Sequence, residues 1–287
     1  MITEPAPAKV NLALHVVGRR NDGHHLLESP VAFTAFGDEV HVEASERDTV
    51  AMEGPPVEGP NIVAAARDAL RAHAGVGTPV AITIAKRIPV AAGLGGGSAD
   101  AAASLRALRT LWRLALADAD LAAIAAPLGA DVPMCVLSRT AMARGVGDGL
   151  TPIEGGAGGM GLAGLGVVLA NPGVAVPTPA VFGGLARADN APLPPVSGDP
   201  LAWLRACRND LGPPARAIAP VIGDVLAALS PGALLARMSG SGATCFALTP
   251  DAASAAAMAE RVASDHPAWF VAATRFEDRT GDATDAP

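Results

Sequence analysis

Apolar positions along this chain change period several times, and each change predicts an element. "AKVNLALHVVG" (Ala8 to Gly18) alternates and is rich in β-branched residues, so it predicts a strand. "NDGHH" (Asn21 to His25) is a turn centred on Asp-Gly. "SPVAFTAFGDEVHVEA" predicts more strand, broken at Gly37-Asp38. In "NIVAAARDALRAHAG" the period lengthens to that of a helix, with Asn61 as its N-cap and Gly75 as its stop. "PVAITIAKRIPV" returns to strand. Four glycines then fall within the five positions from Gly93 to Gly97, and an alanine-rich helix follows from about Ser98 to about Leu114. "DADLAAIAAPLG" predicts a short helix, and "ADVPMCVLSRTAMARGVGD" a turn and strands.

The mostly glycine and alanine stretch from Gly155 reads as a linker feeding the strand "GVVLANP". Beyond it come a proline-rich loop, helical "DPLAWLRAC" and "PARAIAPVIGDVLAAL", and a strand pair around "ALLARMSGSGATCFAL". A helix, "DAASAAAMAERVASDH", and a last strand, "AWFVAATRF", complete the pattern. Helices and strands intersperse without a strict βαβ rhythm, so the class expected is α+β. The expected division is residues 1–154, residues 155–278, and a flexible tail at 279–287.

Composition adjusts this picture in three ways. With 3% aromatic residues and no tyrosine in 287, alanine, valine and leucine must fill the core. A net charge of -7 argues against a partner that is nucleic acid or an anionic membrane, though a local pocket could still hold an anion. Cys135, Cys207 and Cys245 have no metal-ligand spacing, and so sparse a set fits a reducing cytoplasm. The N-terminus has no signal-peptide pattern, and no apolar run is long enough to span a membrane. A cytoplasmic protein is expected.

The glycine run carries the first chemical signal. A helix N-terminus has unsatisfied N–H groups and a partial positive charge. A preceding segment without Cβ atoms lets a polyphosphate lie against the backbone. Ser98 adds a hydroxyl, and Lys86 a nearby cation. The run fits neither of the two common nucleotide signatures: no lysine follows it, and the third glycine of a GxGxxG pattern would fall on Ser98. Read alone, it could equally be a flexible loop at a close helix–sheet contact.

Three ordered motifs remove much of that ambiguity. "PVAAGLGGGSADAA" resembles the phosphate loop of the galactokinase, homoserine kinase, mevalonate kinase and phosphomevalonate kinase (GHMP) superfamily, with "PAKVNLAL" before it and "RMSGSGATCFAL" after it. "PAKVNLALHVVGRRNDGHHLLES", "LGADVPMCV", "ARGVGDGLTP", "PTPAVF" and "RNDL" resemble the 4-diphosphocytidyl-2-C-methyl-D-erythritol kinase family within it. The resemblance spans roughly residues 5 to 275. It implies a two-domain fold, an N-terminal ribosomal-protein-S5-like domain and a C-terminal α/β-sandwich domain, with the site in the cleft between them. It also implies transfer of the γ-phosphoryl of ATP to the 2-hydroxyl of a cytidine-diphosphate methylerythritol, with Mg²⁺ held largely by phosphate oxygens and water. No protein ligand to the metal can be assigned. The protein would act on this small molecule as a monomer or homodimer.

Residue roles follow from the same matches. Asp131 matches the catalytic aspartate, although its own context is that of a turn aspartate before a proline. Lys9 matches the catalytic lysine, in an apolar strand where burial would demand a partner. Asn11, two residues on and on the same face, would offer its amide to the sugar-like part of the substrate. His25 matches the residue that reads the cytosine edge. His24 stands where the family usually stacks a tyrosine on cytosine, and Phe182 matches the ring on the other side of the base. Phe182 could equally be a core residue. The loop for the ATP phosphates is Pro89, Val90, Ala91, Ala92, Gly93, Leu94, Gly95, Gly96, Gly97, Ser98 and Ala99. Asn61 and Lys86 match positions near the adenine, and Asn61 could also serve as a helix cap. Ser239 to Gly242 would close the site from the second domain, and Asn209 and Asp210 match a family pair for which the residues themselves suggest no role. Two rivals remain open at this point: another alcohol kinase of the superfamily, and a nucleotide-binding protein without catalysis, which predicts loss of Lys9 or Asp131.

Overall fold

The computed structural model describes residues 1–53, 61–195 and 198–279. Its first sheet is organised around one long strand, β3 (His25–Ala44), which takes partners on both edges. Antiparallel to it run β1 (Ile2–Asn11), β2 (His15–Arg19), β5 (Val80–Ala85) and β6 (Ala141–Arg144). β4 (Thr49–Glu53) is parallel to β5, and β7 (Gly149–Pro152) is antiparallel to β6.

The expected break at Gly37-Asp38 does not occur, because β3 continues through it. A Cβ on Gly37 would lie 2.3 Å from the Ala6 carbonyl oxygen, so glycine here admits the close approach of β1. The irregularity falls just beside it. Between Pro7 and Lys9 the partners on β3 jump from Gly37 to Phe33, two residues of β1 against four of β3. The single strand expected over 8–18 is likewise divided into β1 and β2.

Helices cover this sheet. α1 (Ile62–Ala74) is capped by Asn61, whose side chain accepts from the Val63 and Ala64 amides, and it stops at Gly75 with φ 65°. α2 (Gly96–Leu111) begins inside the glycine run and is buried from Ala99 to Arg109. Its alanines let a helix pass through the core with little volume. The fully buried Arg106 on α2 donates to Glu4, to the Pro5 carbonyl and to the carbonyls of Cys135 and Val136. α3 (Asp118–Ala125) follows, as expected. α4 (Val132–Leu137) was not expected: the sequence pattern suggests turn and strand there. Six residues are too few to display a helical period, and Pro133 sits in the first turn, where it costs no hydrogen bond.

The second sheet has the order β11-β8-β10-β9, all antiparallel, from β8 (Gly166–Asn171), β9 (Leu235–Met238), β10 (Cys245–Thr249) and β11 (Phe270–Thr274). The stretch expected as a linker contains one helical turn, α5 (Gly156–Gly159). Between β8 and β9 come α6 (Thr178–Gly183), α7 (Pro200–Ala206), α8 (Gly212–Ile218) and α9 (Val221–Leu229). α10 (Ala252–Asp265) connects the last two strands. The two sheets share an apolar core in which Val10, Leu12 and Leu94 join Leu169 and Phe246. Asp278 and Arg279 are anchored, unlike the loose tail expected from about this point. Asp278 accepts from the Thr140 and Ala157 amides, and the Arg279 amide donates to the Ser138 carbonyl. Residues 280–287 of that tail lie outside the described residues. Among the described residues no helix is long and apolar enough to cross a membrane.

Candidate active site

The glycine run lies where the two sheets meet. β5 ends at Ala85: the Lys86 amide still donates to the Glu53 carbonyl of β4, but Arg87 and Ile88 both donate to Asp38 Oδ1, at 2.5 and 2.8 Å. The chain then loops through Pro89 to Gly95, which precedes α2 with φ 66°. No side chain caps the first turn of α2, so its N–H groups open into a cavity of about 410 Å³. Asn61, Lys86, Pro89, Val90, Ala91, Ala92, Gly93, Gly95, Gly96, Gly97 and Ser98 line it. The other two residues of the expected loop face inward: Leu94 and Ala99 are buried in the core. A Cβ on Gly96 would crowd Ile88 Cγ2 at 3.2 Å and Lys86 Nζ at 3.3 Å. At Gly93 the neighbour differs. Its φ is 74°, and a Cβ would lie 2.5 Å from the Gly242 carbonyl oxygen of the second glycine loop.

Lys86, expected near the adenine, lines this cavity but is not a free cation. Its Nζ donates to Asp38 Oδ2 at 2.5 Å and to Asp100 Oδ2 at 2.8 Å, and all three side chains are buried. Neither aspartate is evident as a site residue from the sequence. Asp100 is legible at most as an acid in the first turn of an alanine-rich helix.

A second cavity, about 390 Å³, lies on the other side of the loop and shares Gly93, Gly95 and Ser98 with the first. Lys9 and Asp131 face each other in it, with Lys9 Nζ donating to Asp131 Oδ2 at 2.8 Å. Lys9 is placed by the register shift between β1 and β3 and by its amide, which donates to the Leu94 carbonyl at 2.9 Å. Asp131 immediately precedes α4 and its side chain caps nothing there. It is 39% exposed against 8% for Lys9, so the carboxylate is accessible and the ammonium is enclosed. Asn11 lines the cavity too, but its Nδ2 donates to Ser29 Oγ at 2.7 Å, leaving Oδ1 beside Gly240.

The second glycine loop is tied down by residues the sequence left without a role. Asn209 Nδ2 donates to the Met238 and Gly240 carbonyls, both at 2.8 Å. Ser239 Oγ accepts from the Asn11 amide at 3.1 Å, joining this loop to β1. Asp210 accepts from the Val16 amide at 2.7 Å. A repeated G-x-G motif hints at such a loop, but nothing local identifies Asn209 as its support.

The residues expected around the base divide. His25 and Phe182 stack on one another, with ring centroids 5.0 Å apart and planes 25° apart. Burial lowers the pKa of His25, which favours a neutral imidazole with one donor and one acceptor nitrogen. His24 points away, with its side chain 71% exposed and Nδ1 3.2 Å from Asp22 Oδ1. The structure therefore brings together Lys9, Asp131, Asn11 and Phe182 around one cavity; His25 joins them only through its stack on Phe182, and His24 does not.

Comparison with known proteins gives the family and the fold. Residues 61–139 match the family model for the GHMP kinase N-terminal domain, and residues 196–268 match that for the C-terminal domain. The chain is 49% identical to a 4-diphosphocytidyl-2-C-methyl-D-erythritol kinase of Chelativorans sp., over 94% of each chain. It is 48% identical to the enzyme of the same name from Brucella melitensis, over 94% of this chain and 93% of that one. A crystal structure of a 4-(cytidine 5'-diphospho)-2C-methyl-D-erythritol kinase superposes with a TM-score of 0.80 at 34% identity, covering 95% of this chain and 99% of the other. A homoserine kinase from Cytophaga hutchinsonii shares the fold, with a TM-score of 0.71 at 20% identity over 98% and 96% of the two chains.

Proposed function

The chain belongs to the 4-diphosphocytidyl-2-C-methyl-D-erythritol kinase family of the GHMP kinases, and from that premise we propose what its two cavities do. It is an ATP-dependent kinase that phosphorylates the 2-hydroxyl of 4-diphosphocytidyl-2-C-methyl-D-erythritol, releasing ADP and the 2-phosphate, on the non-mevalonate route to isoprenoid precursors. The observation that carries the site assignment is the Lys9–Asp131 pair, in a cavity that shares Gly93, Gly95 and Ser98 with the cavity at the start of α2.

In this reading the first cavity takes ATP, with its phosphates against the uncapped turn of α2 and its base toward Asn61. The second takes the acceptor. Asp131 accepts the proton of the 2-hydroxyl as that oxygen attacks the γ-phosphorus, and the bond to the ADP oxygen breaks. Lys9 holds the carboxylate in position and offsets charge as it develops. His25 and Phe182 take the cytosine, and the neutral imidazole matches a base edge that offers both a donor and an acceptor. For Phe182 to stack on the base while His25 meets its edge, their present stack must open.

Mg²⁺ fits beside the phosphates. Among the described residues no cluster of three His, Cys, Asp or Glu side chains could hold a metal unaided, so phosphate oxygens and water would be its main ligands. The ion would neutralise phosphate charge. The chain would act as a monomer or homodimer. We place the enzyme in the cytoplasm, which its three free cysteines favour.

A coupled ADP-release assay tests the reading, with ATP, Mg²⁺ and either the cytidine substrate, mevalonate or homoserine, and with Asp131→Ala as the control. Turnover confined to the cytidine compound and lost in the variant is expected. Turnover with another alcohol would refute the roles given to His25 and Phe182. Nucleotide binding without turnover of any of the three would refute the kinase assignment.

A further inference from the structure

The floor of the nucleotide cavity carries a charge that its proposed ligand should oppose. Lys86 is shared between Asp38 and Asp100, and with both acids ionised the buried cluster has one positive and two negative charges. This excess negative charge sits behind the turn of α2 that faces the cavity. Phosphates brought to that turn would bring several more.

The two acids are not equivalent. Asp38 is occupied by three donors: Lys86 Nζ and the amides of Arg87 and Ile88. Asp100 meets Lys86 through Oδ2, while its Oδ1 is buried without any hydrogen-bond partner. Asp100 is only 4% exposed and is one of the residues that line the cavity. A buried carboxylate oxygen without a partner is costly, more so when charged. Such an oxygen becomes a hydrogen-bond donor if it takes up a proton, and a phosphate oxygen is then a matching acceptor.

We propose that Asp100 is a proton-binding positioning residue: nucleotide binding draws a proton onto its free oxygen, which then donates toward the phosphates, leaving the Lys86–Asp38–Asp100 cluster neutral. The inference rests on the nucleotide reading of the first cavity. No bond other than O–H changes, and the proton comes from solvent.

The surroundings support this. Burial, followed in effect by the charge of Asp38, raises the Asp100 pKa to about 7 against the pull of Lys86. Other titratable groups near α2 are already engaged or neutral. β1 and α4 bring the Lys9–Asp131 pair, and α4 also brings Cys135, whose thiol is pushed up to about 12 by burial. On α1, Arg67, Asp68 and Arg71 are engaged with Asp48 and with one another. An anion beside Asp100 raises its affinity for a proton further, so the nucleotide-bound state holds more protons than the free one. By linkage, nucleotide affinity falls as pH rises through neutrality.

Calorimetry of ADP binding to the full chain in Mg²⁺, in two buffers of different ionisation enthalpy at about pH 8, counts the protons taken up. ADP titrates on its own, but equally for wild type and for Asp100→Asn, so the difference isolates Asp100. The wild type is expected to take up about 0.5–0.9 proton more than the variant. Its Kd should rise at least about fivefold more than the variant's between pH 6 and 8.5. Should the variant fail to fold, an infrared difference spectrum of the wild type gives the same answer: ADP at pH 8 should produce the carbonyl stretch of a protonated carboxylic acid. Equal proton counts, or no such band, would overturn the inference and leave the kinase reading intact. Failure of the wild type to bind ADP would overturn both.

Discussion

Replacing Gly93 with alanine tests whether the two glycine loops depend on close backbone contact. The perturbation is a single methyl group. At φ 74° its Cβ would lie 2.5 Å from the Gly242 carbonyl oxygen, 3.1 Å from the Gly242 carbonyl carbon and 3.2 Å from the Ser239 carbonyl oxygen. All three neighbours are backbone atoms, so no side chain can rotate away. A left-handed conformation costs alanine about 1–2 kcal/mol, and forced overpacking about 1–3 kcal/mol. The sum is about 2–5 kcal/mol. An unfolding entropy of about 2.1 cal/mol/K per residue gives about 0.6 kcal/mol/K for this chain, so Tm should fall by about 3–8 °C. If the loops part instead of straining, the Ser239 to Asn11 tie and the Thr244 amide bond to the Ala92 carbonyl go with them. The cost then appears as a fall in kcat/KM of about tenfold or more. Gly97→Ala is the control for stability, because its Cβ would find only Ile62 Cγ2, at 3.8 Å, and its φ is not in the left-handed region. In the first turn of α2 that change should be neutral or stabilising by up to about 1 kcal/mol. Thermal unfolding and the coupled ADP assay read both proteins. Gly93→Ala matching wild type in Tm and kcat/KM would refute the reasoning.

Four further outcomes are expected. Asp131→Asn should lower kcat by about 10²–10⁴-fold while leaving ADP affinity near wild type, and a kcat within threefold would remove Asp131 as the base. Asn209→Ala frees two carbonyls of the second glycine loop and should cost about 1–3 kcal/mol in denaturant unfolding, with a rise in KM for the cytidine substrate; an unchanged KM would detach Asn209 from the site. His24→Tyr should lower that KM by about two- to tenfold if a larger ring at this turn can swing in to stack, whereas no change would mean that the exposed His24 stays outside the base site. Asp48 has a depressed pKa, chiefly because Arg71 hydrogen-bonds to it, so its contribution to stability is present above about pH 4 and is lost as pH falls below that. Melting curves of Asp48→Asn should therefore approach those of the wild type on acidification; a gap that persists at low pH would count against this.

What the sequence determined by itself is what neighbours within a few residues decide. The cap at Asn61, the stop at Gly75 and the alanine-rich helix after the glycine run were all legible, because capping and helix propensity are local. The glycine run was legible as a place without side chains, and the ordered motifs tied it to phosphoryl transfer. Tertiary structure decided the rest. A six-residue helix such as α4 shows no period, and Gly37 reads as a break until Ala6 is seen packed against it. It also decided that Leu94 and Ala99 serve the core rather than the cavity, and that His24 faces solvent. The pairs that make the site are the furthest removed from local signals. Lys9 and Asp131 are 122 residues apart, Asn11 and Ser239 are 228 apart, and Lys86 and Asp38 are 48 apart. A charged side chain is committed to a partner only when burial removes the water that would otherwise serve it. Burial is a property of the packed sheets, so the sequence can nominate Lys9, Lys86 and Asp131 and, through the family resemblance, set Lys9 beside Asp131, but only the fold gives Lys86 its partners.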